Sequence, residues 1–178
     1  MPNMPKIDGN VKVLEVEAYA LELSDSDTWD IDLEEQDYTI KTKIGSEYRE
    51  DLPVLQLEIN LDLGDKVTLA DIVNIMTNPE KRMKWDKDGL IEYKFQDDDK
   101  TPDGKLLYTI SKFPWPMKNR DFLDFRYTKK LPGEIRVIFF GIEHEDYPKA
   151  EGIVRGQSIF GMHRYMKIDD KIKIVMVS

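Results

Sequence analysis

Two prolines separated by one residue, followed by an alternating run, constrain this chain more than any other stretch. The residues are Lys112-Phe-Pro-Trp-Pro-Met-Lys-Asn-Arg-Asp-Phe-Leu-Asp-Phe-Arg126. Pro114 and Pro116 lack a backbone donor and push Phe113 and Trp115 into extended geometry, so no helix forms there. From Phe122 the period becomes two. Phe122, Asp124 and Arg126 point one way, and Leu123, Phe125 and Tyr127 the other. A stiff apolar loop therefore feeds a strand with two opposite charges on one face and large apolar groups on the other.

The remaining segments read as partners for that strand. Val11 to Leu23 carries Leu14, Ala18 and Leu21 at helical spacing, and Val11, Val13, Glu15 and Glu17 at strand spacing. Ala18, Glu22 and the leucines decide for a helix. Ser24-Asp-Ser-Asp27 stops it. Strands are predicted over Trp29–Leu33, Tyr38–Ile44 (ended by Gly45-Ser46) and Leu52–Leu63. The third has Leu55, Leu57, Ile59 and Leu61 on one face and Gln56, Glu58, Asn60 and Asp62 opposite. Leu69, Ile72, Val73 and Met76 then fall at helical spacing, with Thr68 or Asp65 as the cap. Asn78-Pro79 breaks this helix, and Pro79 opens a second short one through Met83. After Gly89 the pattern is a meander of antiparallel strands, at 90–95, 105–113, 122–130, 135–142, 153–158, 161–167 and 171–177. Asp103-Gly104, Pro132-Gly133 and Asp169-Asp170 supply turns. Segregated elements of this kind imply an α+β fold with one large antiparallel sheet. No repeat or linker interrupts it, so a single domain is expected at 11–178 after a loose tail at 1–10.

Composition sets the outer bounds. A chain of 178 residues suits one domain burying roughly 70% of its unfolded surface. Hydrophobic residues at 40% and charged ones at 34% fit a globular protein rather than a disordered one. With no cysteine, disulfides, thiolate metal sites and cysteine nucleophiles are excluded. No uncharged run approaches the ~18 residues of a membrane span, and the N-terminus lacks an apolar signal core. A cytoplasmic location is the resulting expectation. The net charge of −9 gives no drive toward nucleic acid. Any membrane contact is then transient, local and driven by apolar groups.

Pro-Trp-Pro-Met-Lys-Asn-Arg-Asp-Phe122 resembles the signature before the central strands of START domains, the lipid-binding family related to the steroidogenic acute regulatory protein. Thr68-Leu-Ala-Asp-Ile-Val73, Arg82-Met-Lys-Trp-Asp86 and Gly152-Ile-Val-Arg155 are similar to further landmarks of that family, in order. The resemblance covers 11–178 and is greatest to the phosphatidylcholine-transfer subgroup. It implies the helix-grip fold, a curled sheet around a lipid cavity, normally closed by a long C-terminal helix. No such helix follows the last strand here. Truncation is the favoured reading, with a partner, a second copy covering the open face, or a rearranged fold as the others.

The resemblance also assigns roles. Arg126 occupies the position that points inward and receives the polar end of a lipid, a task suited to a planar guanidinium. Asp124 shares its face and is its expected partner, because a lone buried charge is costly. A buried ion pair that merely fixes the sheet is the competing reading. The aromatic choline cage of relatives falls on Thr109, Phe122, Asp124 and Ile159, of which only Phe122 is aromatic. The acidic partner used by sterol binders falls on Leu107, and the amides of ceramide binders on Thr109 and Phe139. No named lipid is favoured among sterol, phospholipid, lysolipid and fatty acid. In relatives the loop holding Phe113, Trp115, Pro116 and Met117 lies at the cavity mouth as a gate. Lys112 and Lys118 beside it suit headgroups, while inward packing of Trp115 and Met117 is the alternative. Trp85 is expected to pack in the core with its N–H bonded. Arg155 either reaches the cavity or ties strands together.

Other chemistry finds little support. A calcium loop starting at Asp99 would need glutamate where Ile110 stands, so a solvated turn is expected at Asp97–Gly104. His144 and His163 are the only histidines and lack ligand-like spacing, so no metal or cofactor is expected. No nucleophile elbow, phosphate loop or dinucleotide fingerprint is present. Arg126 beside Asp124 would keep that carboxylate ionised and a poor acid. The expected function is non-enzymatic lipid binding and transfer between membranes. An enzyme or ligand-sensing regulator on the same scaffold, or a protein-interaction module using the open sheet face, stand as alternatives.

Overall fold

The computed structural model describes residues 9–44, 52–64, 66–96 and 104–178. The tail through residue 8, the Gly45-Ser46 stop, Asp65 as an alternative cap and the turn at 97–103 lie outside these residues. In order the elements are α1 (Gly9–Ser24), β1 (Asp30–Glu34), β2 (Tyr38–Ile44), β3 (Pro53–Leu61), α2 (Leu69–Thr77), α3 (Pro79–Trp85), β4 (Leu90–Gln96), β5 (Lys105–Ser111), β6 (Arg120–Leu131), β7 (Glu134–Gly141), β8 (Val154–Arg155), β9 (Gly161–Ile168) and β10 (Lys171–Val177).

Local chemistry sets the boundaries. Thr68 caps α2 reciprocally: its hydroxyl accepts from the Asp71 backbone N–H at 3.2 Å, and the Asp71 carboxylate accepts from the Thr68 N–H at 2.9 Å. Asn78 ends α2 and caps α3 by accepting from the Lys81 N–H at 3.1 Å, with Pro79 in the first turn. In the β6–β7 hairpin Pro132 takes the first corner, and Gly133, at φ 73°, takes the second.

The strands form one sheet in the order β1-β2-β3-β10-β9-β7-β6-β5-β4, all antiparallel along that path. The strand expected at 153–158 shrinks to Val154 and Arg155, which pair parallel to Arg120 and Asp121 of β6. A return loop crosses there, so this segment leaves the meander. Register assigns every side chain to one of two faces. Leu123, Phe125, Ile138, Phe140, Met162, Val175 and Val177 share one face and pack under α1. Phe122, Asp124, Arg126, Phe139, His163 and Tyr165 share the other, where α2 and α3 lie.

Helix α1 forms as expected, but through another stripe. Val13, Val16, Ala20 and Leu23 are buried, at spacings of three and four. Of the expected stripe, Leu14 is 64% exposed and Ala18 is exposed, while Leu21 packs only at the margin of the core. Valines at three-to-four spacing hold the seam because the apolar β surface fills the space between turns. Beneath α1 sits a charged girdle. Buried Glu17 accepts from Lys129 Nζ at 2.8 Å and from Arg136 Nη1 at 2.7 Å. Arg136 also grips Glu134, which Arg164 bonds at 2.8 Å, and Arg164 reaches Asp25 at 2.7 Å. Along β3 the apolar face is covered at Ile59 and Leu61, which pack on the cluster under α2, but near its start the opposite face is the buried one. Gln56 is buried and donates to Ser24 O at 3.1 Å, whereas Leu55 is 48% exposed.

Burial by itself would raise the Glu17 carboxyl, but the hydrogen bonds and charges of Lys129 and Arg136 outweigh it and hold it below the usual carboxylate range. Its stabilising contribution is therefore complete above ~4.3 and is lost as pH falls through the depressed folded value. Glu17→Gln should cost about 2 kcal/mol at neutral pH, since Arg136 keeps Glu134 as a partner. Urea unfolding at several pH values should show that cost fading in acid.

Candidate functional site

The sheet curls toward α2 and α3. β4 and β9 stand four strand spacings apart, which is about 19 Å in a flat sheet. Yet α3 packs on β4 through Met83 while α2 packs on β9 through Ile72 and Tyr165, and the two short helices adjoin at Asn78. The curved sheet thus turns the face opposite α1 toward these helices, and that face carries polar groups of β4, β6 and β9 beside those of α3.

Register brings most of the sequence-assigned residues into it. Leu107 lies opposite Asp124, Thr109 opposite Phe122, and Arg126 opposite Phe139. Leu107 is fully buried, Thr109 and Phe139 nearly so, and Phe122 partly. Two aromatic rings are seated on glycines: a Cβ on Gly161 would meet the Phe139 ring at 2.2 Å, and one on Gly156 the Phe122 ring at 2.3 Å. The Arg126 guanidinium stacks 4.7 Å from the Phe139 centroid. A glycine, a ring and a cation are thereby layered across β9, β7 and β6. His163 meets the same Phe139 edge-to-face at 5.1 Å, and its Nδ1 lies 3.5 Å from the Tyr165 hydroxyl.

Asp124 and Arg126 share the face but do not hydrogen-bond: Nη2 and Oδ2 are 3.9 Å apart. At the Asp124 carboxyl, burial outweighs the neighbouring guanidinium. Burial pushes the Asp124 carboxyl up, and Arg126 with the Ser158 hydrogen bond only partly draws it back. Burial, reinforced by the Arg126 and Arg82 charges, lowers His163 to about 3 and leaves it neutral. Burial likewise pushes Tyr165 up to about 12. Four polar atoms on this face are buried without a partner: Arg82 Nε, Tyr93 OH, Asp124 Oδ1 and Arg126 Nε. Buried polar atoms without a protein partner are rare, and here four share one face.

Arg82, Tyr93, His163 and Tyr165 were not singled out as site residues. Arg82 stands four residues before Asp86 and pairs with it at 2.6 Å, a helix-spacing signal visible in the sequence. Tyr93, His163 and Tyr165 gave no such signal, because alternation shows which residues share a face and not which strands curl together. Trp85 departs from expectation. Its N–H donates to Ile75 O at 3.2 Å as anticipated, but the ring is 49% exposed, with the Arg82 guanidinium 4.1 Å from its centroid. The helix ends there, so the ring caps Arg82 from the solvent side. Arg155 ties strands together: its fork grips buried Asp121 at 3.0 and 2.9 Å, on the α1 side of β6, with Tyr108 OH on the same carboxylate.

The 112–119 loop projects outward. Trp115 is 92% exposed, Met117 is 50% exposed and Pro116 is also exposed, while Phe113 tucks under Arg120, 4.8 Å from its centroid. The loop is pinned at its base. The Phe113 N–H donates to Asn119 Oδ1 at 3.2 Å, and the Lys112 N–H to Gly89 O at 2.9 Å. Among the described residues no group of His, Asp or Glu forms a metal-holding cluster, and no helix is long and apolar enough to cross a membrane.

Because the chain has two histidines, its imidazole NMR spectrum is simple. The His163 resonances should show no titration between neutral pH and about 4, with stability falling as pH drops below ~6.5 because only the unfolded chain takes up that proton. A His163 midpoint near the ordinary value would contradict the burial of its ring.

The fold is shared with proteins of known structure. Human STARD10 superposes with a TM-score of 0.79 at 16% identity, covering 99% of this chain and 69% of that one. Human StAR-related lipid transfer protein 5 gives 0.78 at 17% identity, covering 94% and 79%. A StAR-related lipid transfer protein from Xanthomonas axonopodis gives 0.66 at 17%, covering 85% and 81%. No curated protein sequence matches significantly. The START domain family model matches residues 14–173, nearly the whole chain, and this protein belongs to the START domain family.

Proposed function

We propose that the single domain at 11–178 binds one lipid in the concavity opposite α1 and transfers it between membranes without catalysis. The carrying observation is the set of orphaned polar atoms around Arg126, inside a face otherwise lined by apolar side chains. Arg126 and Asp124, with Thr109, anchor the polar end, and Phe122, Leu107 and Phe139 pack the adjoining body. Two of the structural neighbours are StAR-related lipid transfer proteins, which supports the reading. The driving force is physical: each methylene kept from water is worth about 0.8 kcal/mol, which offsets departure from the bilayer.

In this reading the Phe113–Met117 loop is the membrane-facing gate. Its exposed Trp115 and Met117, flanked by exposed Lys112 and Lys118, suit an interface between headgroups and water. Work between membranes calls for a cytoplasmic protein with transient membrane contact. Apolar residues on β1 to β3, including Leu33, Leu55 and Ile44, are exposed. We assign their cover to a partner or a second copy. Likeness to the phosphatidylcholine-transfer subgroup rests on the sequence signature and leaves the lipid's class open between phospholipid and sterol.

Native mass spectrometry of the purified protein with lipid extraction tests the reading. One lipid per chain should be recovered, and Arg126→Leu should lower loading by about tenfold, as loss of a charge-assisted contact would. A chain that carries none and extracts none from liposomes is not a lipid carrier. Trp115→Ala should slow transfer between liposomes by about tenfold, while equilibrium lipid loading stays unchanged. An unaltered transfer rate would remove the loop from the mechanism.

A further inference from the structure

We propose that the exposed end of α3 and the 112–119 loop form one docking face for an anionic lipid surface. This rests on the membrane-facing role given to the loop above, and adds a second contact element and the charge of the bilayer.

Topology places the two segments together. β4 begins at Leu90, opposite Ser111 at the end of β5, and Ser111 lies opposite Arg120 at the start of β6. The turn leaving α3 and the loop joining β5 to β6 therefore share one end of the sheet. Lys112 ties them to each other. Its N–H donates to Gly89 O at 2.9 Å, and its Nζ donates to Lys87 O at 2.6 Å. Each segment presents an apolar point. Trp115 is 92% exposed beside exposed Met117. Trp85 is 49% exposed, and its N–H donates to the carbonyl of Ile75, itself 42% exposed. An indole held at the surface among cations suits the boundary between headgroups and acyl chains.

The charge at this end runs against that of the whole chain. Residues 75–89 hold four basic and three acidic side chains, and residues 112–120 hold three basic and none acidic. These stretches are net +1 and +3, so together +4 in a chain of −9, and the remaining residues carry −13. Arg82 and Asp86 offset each other at 2.6 Å. Lys81, Lys84, Lys87, Lys118 and Arg120 are exposed. Across the sheet the sign reverses. Tyr147 stacks on Tyr108 on the α1 side of β5, and the loop carrying it exposes Glu143, Glu145, Asp146 and Glu151. The basic side of this end is therefore the α3 side. Anionic headgroups attract that side and repel the acidic remainder, so charge orients the chain with Trp85 and Trp115 toward the lipid.

The experiment sediments the full chain with vesicles of phosphatidylcholine, alone or with about 30 mol% phosphatidylserine. In about 0.1 M salt, binding should be about tenfold tighter to the anionic vesicles, and in about 1 M salt the difference should vanish. Lys84→Gln with Lys87→Gln should weaken binding to the anionic vesicles by about fivefold or more and leave binding to phosphatidylcholine unchanged. Lys167→Gln with Lys171→Gln removes the same charge from exposed positions in the β9–β10 hairpin, at the opposite end of the sheet, and should change neither. Trp85→Ala should weaken binding to both vesicle types by about threefold or more. Equal binding to the two vesicle types, or equal losses from the two lysine pairs, overturns the anionic docking face. A Trp85→Ala chain that binds like the unmodified one overturns the part given to α3. Lipid loading is measured on the same chain. A chain that loads lipid but ignores vesicle charge loses this face and keeps the carrier reading, and one that docks on anionic vesicles but takes up no lipid loses the carrier reading alone.

Discussion

A guanidinium resting on a phenyl ring, and unbonded to the carboxylate beside it, is the interaction around which this molecule is arranged. Arg126 is placed by Phe139, and Phe139 lies over Gly161, where any side chain would collide with it. The antiparallel register of β6, β7 and β9 puts those three residues in line. Keeping Arg126 there requires that the other face of the same strand be fully occupied. Leu123 and Phe125, next to Asp124 and Arg126 in sequence, meet that need by packing in the core beneath α1.

The two faces treat charge differently, and that difference locates the site. On the α1 side the charged groups are closed into networks. Asp121 accepts both arms of Arg155 and a tyrosine hydroxyl, and Glu17 takes Lys129 and Arg136. Such groups hold strands and helix together. On the opposite side Arg82, Tyr93, Asp124 and Arg126 each keep a buried polar atom unspent. Folding does not favour that arrangement, because an unsatisfied buried group costs about 1–3 kcal/mol.

Much of this was legible in the residues. Pro114 and Pro116 forced the loop, Thr68 and Asn78 marked the helix starts, and alternation in β6 separated Asp124 and Arg126 from Leu123 and Phe125. The motifs also led to the family. Less was legible where two patterns competed. In α1 the apolar residues lie on several sides of the helix, and only the sheet beneath decides that Val13 and Val16 are covered while Leu14 is not. Burial of Gln56 and exposure of Leu55 reverse the usual reading of β3 because the end of α1 bonds Gln56.

What the sequence by itself determined is local: periods, caps, turns and the assignment of each strand residue to a face. These depend on interactions within a few residues, so neighbours in the chain suffice to settle them. The tertiary structure alone decided that α3 packs on β4 and α2 on β9, which sets Arg82 and Tyr93 on the same side of the sheet as His163, Tyr165 and Arg126. It also decided that burial raises the Asp124 carboxyl despite Arg126 beside it. Both outcomes follow from curvature and burial, which sum over the whole sheet and leave no mark in any short run of residues.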